Sequence, residues 1–221
     1  MATIATNLRG ALAFVTGVLL VAALAFSPDA AAQQGSAVGT IEVASGSVTV
    51  AQEGKAAQPA TAGTNLMRGD TVRTAAGGKA RLKFRDGSTV SLGEETTFQV
   101  ARFTHNAARG SRVAQFDLIG GILRAIVPPA QAKDSRFEIR TPAAVAAVRS
   151  TDWMIEHTGK AETHVFVGEG AVAVTSTGAQ VGRVVLNAGD GTTVVAGSAP
   201  IYPRPWGQPR IENFRQRTTV N

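Results

Sequence analysis

Between Lys79 and Leu92 apolar and polar positions alternate almost without a break. Ala80, Leu82 and Phe84 fall on one side of an extended chain and Arg81, Lys83 and Arg85 on the other, because successive strand side chains point to opposite faces. Asp86-Gly87 then supplies residues suited to the positive φ of a two-residue primed turn, and Val90 and Leu92 resume the apolar face. The pattern predicts a β-hairpin whose outer face is basic. Just upstream, Leu66 to Thr74 reads as a polar corner at Gly69-Asp70 that feeds a new strand.

The same punctuation runs along the rest of the chain. Segments rich in Val, Ile, Thr and Phe, separated by Gly, Asp and Asn, predict strands over 40–43, 46–51, 70–74, 79–85, 89–92, 97–103, 112–118, 121–127, 136–140, 144–148, 152–157, 163–167, 171–176, 182–186 and 191–195. Strands this short and this closely spaced predict an all-β domain. Its many glycine corners suit a sandwich, a barrel or a β-solenoid. The Ala-rich run from Pro142 to Val148 also fits a helical turn, since Ala favours helix. The corner at Leu66…Gly69-Asp70 has an echo at Leu186…Gly189-Asp190, which predicts two equivalent turns rather than a repeat array.

The ends differ from the middle. Ala11 to Phe26 is apolar apart from Thr16, Ser27-Pro28 stops any helix, and Ala30-Ala31-Ala32 offers the small residues a signal peptidase requires. Residues 1–32 are therefore expected to be a signal peptide, cleaved after Ala32. The apolar run is shorter than the roughly 20 residues of a comfortable membrane span, and an uncleaved inner-membrane anchor is the alternative. A lead-in over 33–39, a β domain over 40–196 and a Pro-rich tail over 197–221 complete the expected organisation.

Composition narrows the chemistry. The absence of cysteine removes disulfides, thiolate nucleophiles, thiolate metal sites and a lipoprotein anchor. The net charge of +6 would raise nucleic acid as a partner for a cytoplasmic chain. Export argues against that and favours an envelope protein, a glycan or an anionic surface. Asp70, Asp86 and Asp190 sit beside glycines where turn formation accounts for them, without the ligand spacing of a calcium loop. His157 and His164 flank a turn that would bring them together across a hairpin, yet a zinc site would need a further ligand, for which Glu156 or Glu162 is available. No nucleophile elbow or phosphate-cradling loop is present. Neither a catalytic residue, a metal nor a cofactor is expected.

Several of these pieces together resemble the FecR domain, a bacterial cell-envelope module. The resemblance runs from about Thr40 to Val195. It rests on Gly46-Ser47-Val48-Thr49-Val50, the Gly69-Asp70…Thr74 corner, the Phe84-Arg85-Asp86-Gly87-Ser88 hairpin and Phe116 to Arg124. It continues through Phe137 to Trp153, with Thr141-Pro142 at its turn, and through Val167-Gly168-Glu169-Gly170. Where the family usually has Arg-Gly-Thr this chain has Arg149-Ser150-Thr151, a strained choice if that position needs positive φ. The resemblance implies a FecR-like β-sandwich or β-solenoid and a non-catalytic periplasmic protein that signals or scaffolds through protein contact. A glycan- or ligand-binding envelope module is the alternative. Family regulators also carry a sigma-binding segment ahead of the membrane and a receptor-contacting domain at the far end. Ten residues precede the apolar run here and only a short tail follows the β domain, which argues against direct sigma-factor contact. The candidate partner contacts are the basic stripe Arg81, Lys83 and Arg85 and the tail aromatics Tyr202 and Trp206. Gly69, Asp70, Asp86, Gly87, Thr141, Pro142, Gly189 and Asp190 are assigned to turns.

Overall fold

The structure is a computed structural model that describes residues 36–159, 161–178 and 181–220; residues 1–32, read as a signal peptide, lie outside them. The chain forms β1 (Gly39–Ser45), β2 (Val48–Ala51), β3 (Gln58–Pro59), β4 (Asn65–Leu66), β5 (Thr71–Thr74), β6 (Lys79–Phe84), β7 (Thr89–Leu92) and β8 (Thr97–Asn106). There follow β9 (Ser111–Val127), β10 (Arg136–Arg140), β11 (Ala144–Thr158), β12 (Glu162–Ser176), β13 (Arg183–Asn187), β14 (Asp190–Val195), β15 (Arg204–Pro205) and one helix, α1 (Gln208–Thr218). The protein is all-β, as the alternation predicts, with that helix added at the end.

One continuous sheet bends into two facing layers because three long strands each serve both. The C-terminal halves of β9 and β11 and the N-terminal half of β12 lie in the first layer, ordered β4-β1-β6-β7-β9-β11-β12-β14-β15. Their other halves lie in the second layer, ordered β3-β2-β5-β8-β9-β10-β11-β12-β13. Every pairing is antiparallel except β9 with β10. Phe84 of the first layer stacks on Phe103 and meets Phe116 of the second at a tilt, with Phe98 and Phe137 completing the ring cluster. The core is thus a sandwich interior with staggered aromatic rings.

Crossing between layers requires each long strand to change which parity faces inward. In β9 the buried core positions are Ala114, Phe116 and Leu118, then Leu123, Ala125 and Val127. In β11 they are Ala144, Ala146 and Val148, then Trp153 and Ile155; in β12, Val165 and Val167, then Val172 and Val174. An extra residue at each crossing restores the inward face, as a β-bulge does. Gly121 (φ +97°) and Gly170 (φ +85°) sit at two of these crossings. A side chain on Gly121 would meet Thr96, and one on Gly170 the carbonyl of Ser150. Those crossings are why sequence patterning splits each long strand into two: the alternation breaks there although the strand does not.

Three local expectations are corrected. Ala144–Val148 is strand, not a helical turn, because pairing with β10 and β12 on both sides outweighs the helix preference of Ala. The β6–β7 connection is a three-residue loop rather than a two-residue primed turn. Phe84 N–H donates to the Ser88 carbonyl (2.9 Å), Gly87 N–H donates to the Phe84 carbonyl (3.0 Å), and only Gly87 takes positive φ. Ser150 carries no left-handed strain: the non-glycine residues with positive φ among the described ones are Glu95 and Ala161.

Candidate interaction surfaces

The turn residues build two matching corners. Gly69 (φ +92°) and Gly189 (φ +89°) each precede an aspartate whose carboxylate accepts from the N–H three residues back: Asp70 from Met67 (2.8 Å) and Asp190 from Asn187 (3.2 Å). Each glycine N–H is also tied to a distant strand, Gly69 to the Val100 carbonyl and Gly189 to that of Val167. Asp70 is the more buried of the two, and burial raises its pKa above the ordinary carboxylate value. At the Thr141-Pro142 turn, the Thr141 hydroxyl accepts from the Ala144 N–H (2.9 Å), and the Pro142 carbonyl accepts from the Thr177 hydroxyl.

Asp86 does more than shape its turn. One carboxylate oxygen accepts from the Ser88 N–H and hydroxyl, and the other lies 3.3 Å from the Arg112 guanidinium, with side-chain exposures of 1% and 4%. Arg112 also donates to the Pro128 and Arg149 carbonyls and stands over the Phe137 ring. Burial lowers its pKa while Asp86 opposes the shift. The pair is a buried pin joining the hairpin to β9, β11 and the segment after β9. Sequence reading missed Arg112 because nothing local marks which basic residue turns inward; its place on the apolar parity of 112–118 was the available signal.

The basic stripe is divided by the chain's own C-terminus. Arg81 donates to the Val220 carbonyl (2.5 Å), and neighbouring Lys79 donates to the carbonyls of Gln216 and Thr219 (2.8 and 3.0 Å). These cations receive the carbonyl-rich end of α1, where positive charge is favoured. Lys83 stays exposed on β6, and Arg85 sits exposed in the loop rather than on the strand. The other end of α1 holds Trp206, half-buried, stacked on Phe166 and edge-on to Phe214, with the Arg210 guanidinium 3.5 Å above its ring centre. Ile122, Met154 and Phe166 on the outer face of the first layer pack against Ile211 and Phe214. Arg217 pairs with Glu156 (2.6 Å) beside them. Trp206 and Arg81 therefore flank one helix, whereas Tyr202 is 85% exposed and stands apart from that cluster. The Pro-rich tail is helical from Gln208, since β-sheet packing supplies what the short, weakly apolar helix lacks by itself.

The histidines do not form a site. His157 is buried against the Thr163 hydroxyl (3.0 Å), while His164, one position on in β12, faces the opposite side and meets the Thr193 hydroxyl (2.9 Å). The expected meeting across the hairpin fails because strand neighbours alternate faces. Burial lowers both pKa values, and Arg210 adds to the shift at His164. Among the described residues no cluster of His, Asp and Glu is arranged to hold a metal ion. No described helix is long and apolar enough to cross a membrane. Trp153 is fully buried, so Tyr202 is the one fully exposed side chain among Trp and Tyr. An open trough of about 610 Å³ indents the outer face of the second layer, bounded by Lys133, Arg136, Arg149 and Arg183.

The described residues thus form a bent two-layer β-sandwich with turn-fixing aspartates, a buried Asp86–Arg112 ion pair and basic outer surfaces. Residues 70–173 match the model of the family described as FecR protein. The matched span is narrower than the resemblance read from Thr40 to Val195, leaving β1–β4, β13–β15 and α1 beyond it. Two crystal structures of a "putative anti-sigma factor" from Parabacteroides distasonis ATCC 8503 share the fold. They have TM-scores of 0.52 and 0.53, 17% sequence identity and coverage of 66% of this chain. The likeness spans 64% of the length of those chains, under two thirds. No curated protein matches this chain in sequence.

Proposed function

We propose that this is an exported FecR-domain protein that acts in envelope signalling by binding another protein, without catalysing a reaction. The family match across the centre of the sandwich is the observation that carries the reading. The side-chain arrangement supports it. Asp86, Asp70, His157 and His164 are engaged by Arg112, the Met67 N–H and the hydroxyls of Thr163 and Thr193, as groups with a structural role would be. A sugar-binding platform would be expected to expose several aromatic faces, whereas Trp153 is buried and Trp206 is stacked within the structure. The anti-sigma description belongs to the structural neighbours; for this chain the proposal is a protein contact in an envelope relay, on the periplasmic side.

In-cell photocrosslinking from a photoreactive residue replacing Tyr202, followed by mass spectrometry of the envelope fraction, tests this. One enriched envelope protein, together with a mature chain beginning at Gln33, is the expected result. Crosslinks confined to the chain itself, or a cytoplasmic protein retaining residues 1–32, would overturn it.

A further inference from the structure

We propose that the trough on the outer face of the second layer is a docking site for an extended acidic segment of the partner protein. The inference rests on the protein-contact reading above and gives that partner a chemistry. The floor is made of small side chains in register. Ala147 of β11 pairs with Ala173 of β12, which in turn pairs with Val185 of β13, and Ala171 lies two positions along on the same face. Methyl groups at three adjoining positions leave a depression that larger residues would fill.

The rims are cationic. Lys133, Arg136, Arg149 and Arg183 line the trough, with Asp134 the single carboxylate among the lining residues. Phe137 and Val148 are paired and both point inward, so Arg136 and Arg149, one step further along, leave β10 and β11 side by side on the outer face. Like charges placed opposite each other across strands oppose folding. Glu138 relieves Arg136 at 3.2 Å, but among the described residues Lys133, Arg149 and Arg183 have no acidic partner. Unlike Arg81, they are not occupied by the chain's own carbonyls. Arg149 is also held in place, because its carbonyl accepts from the buried Arg112 (2.6 Å). A fixed backbone presenting an unpaired guanidinium lowers the ordering cost of binding an anion.

Shape selects among anionic partners. A concave site with an alanine floor cannot insert apolar groups into a flat bilayer, and it has no ring on which a sugar could stack. An extended peptide alternates its side chains between two sides, so apolar residues can seat on Ala147, Ala171 and Ala173 while intervening carboxylates reach the rims.

The test is fluorescence anisotropy of the purified protein with a fluorescein-labelled octapeptide alternating glutamate and valine. Saturable binding that weakens with added salt is expected. The Arg149→Glu, Arg183→Glu double variant should lose about tenfold or more in affinity, and Ala173→Trp, which fills the floor, should lose binding without a charge change. Lys55→Glu, Arg68→Glu carries the same charge change at exposed positions outside the trough and should bind as the wild type does. Circular dichroism establishes that each variant is folded. Failure of the octapeptide to bind, equal loss in the Lys55/Arg68 variant, or tight binding of polygalacturonate where the peptide does not bind would each overturn the proposal. The two readings fail separately: a protein partner crosslinked from Tyr202 whose binding survives the double reversal overturns the trough but leaves the protein-contact function standing.

Discussion

Asp86 shows how much a single side chain can carry beyond its turn. Its position beside Gly87 is legible as turn chemistry, and its bonds to Ser88 fulfil that role. The second carboxylate oxygen faces Arg112 in a nearly water-free setting, and that partner belongs to a strand the local sequence does not mention. Removing one member of a buried ion pair strands the other charge, which costs about 3–5 kcal/mol. Asp86→Ala is therefore expected to destabilise the protein by that order in urea unfolding. Ser88→Ala, which removes only the hydroxyl bond to the same carboxylate, should cost far less, about 1 kcal/mol. Equal effects from the two changes would show that the turn, not the Arg112 pairing, is what matters.

At the scale of elements, the decisive features are the crossings of β9, β11 and β12 between layers. Each long strand reads as two short ones because the buried parity flips in its middle, and a periodicity argument cannot distinguish a bulge from a turn. Gly121 sits at the β9 crossing with φ +97° and Thr96 packed against the space a side chain would need. Gly121→Ala is expected to lower stability by at least about 1–2 kcal/mol from the left-handed conformation alone, and by more because Thr96 must move. Gly189→Ala is the control, since its φ is similar but no atom lies within contact of the added methyl. Thermal unfolding of the two variants side by side separates strain from crowding. The helix α1 was illegible for a related reason. Its proline-rich approach and sparse apolar residues suggest an extended tail. Its stability comes from the outer face of the first layer and from Lys79, Arg81 and Glu156, all remote in sequence.

For the molecule as a whole, the buried His157 and the half-buried His164 tie stability to pH. Burial lowers the pKa of His157 and His164 below 6.5 in the folded state, so in the unfolded chain each takes up a proton that the folded protein resists. Stability rises with pH wherever the unfolded state binds more protons. The contribution is therefore intact above about 6.5 and is lost progressively as pH falls from there toward the depressed folded values. The denaturation midpoint is expected to drop as pH falls from 7 to about 5, and His157→Gln should flatten part of that slope while His164 retains the remainder. A midpoint that stays level or climbs over the same interval would contradict the burial of these imidazoles.

What the sequence determined by itself was local. Alternation at 79–92 made strands, Gly-Asp pairs made corners at 69–70 and 189–190, and the quoted motifs carried the FecR resemblance. Each of these depends on neighbours within a few residues, where backbone sterics and side-chain parity act. Tertiary structure decided the rest. It turned Arg112 inward to Asp86, put His157 and His164 on opposite faces, drew Arg81 and Trp206 onto α1, and aligned three alanines beneath unpaired arginines. Those outcomes depend on which strands become neighbours when one sheet folds over its own core, a long-range choice that no short window of residues encodes.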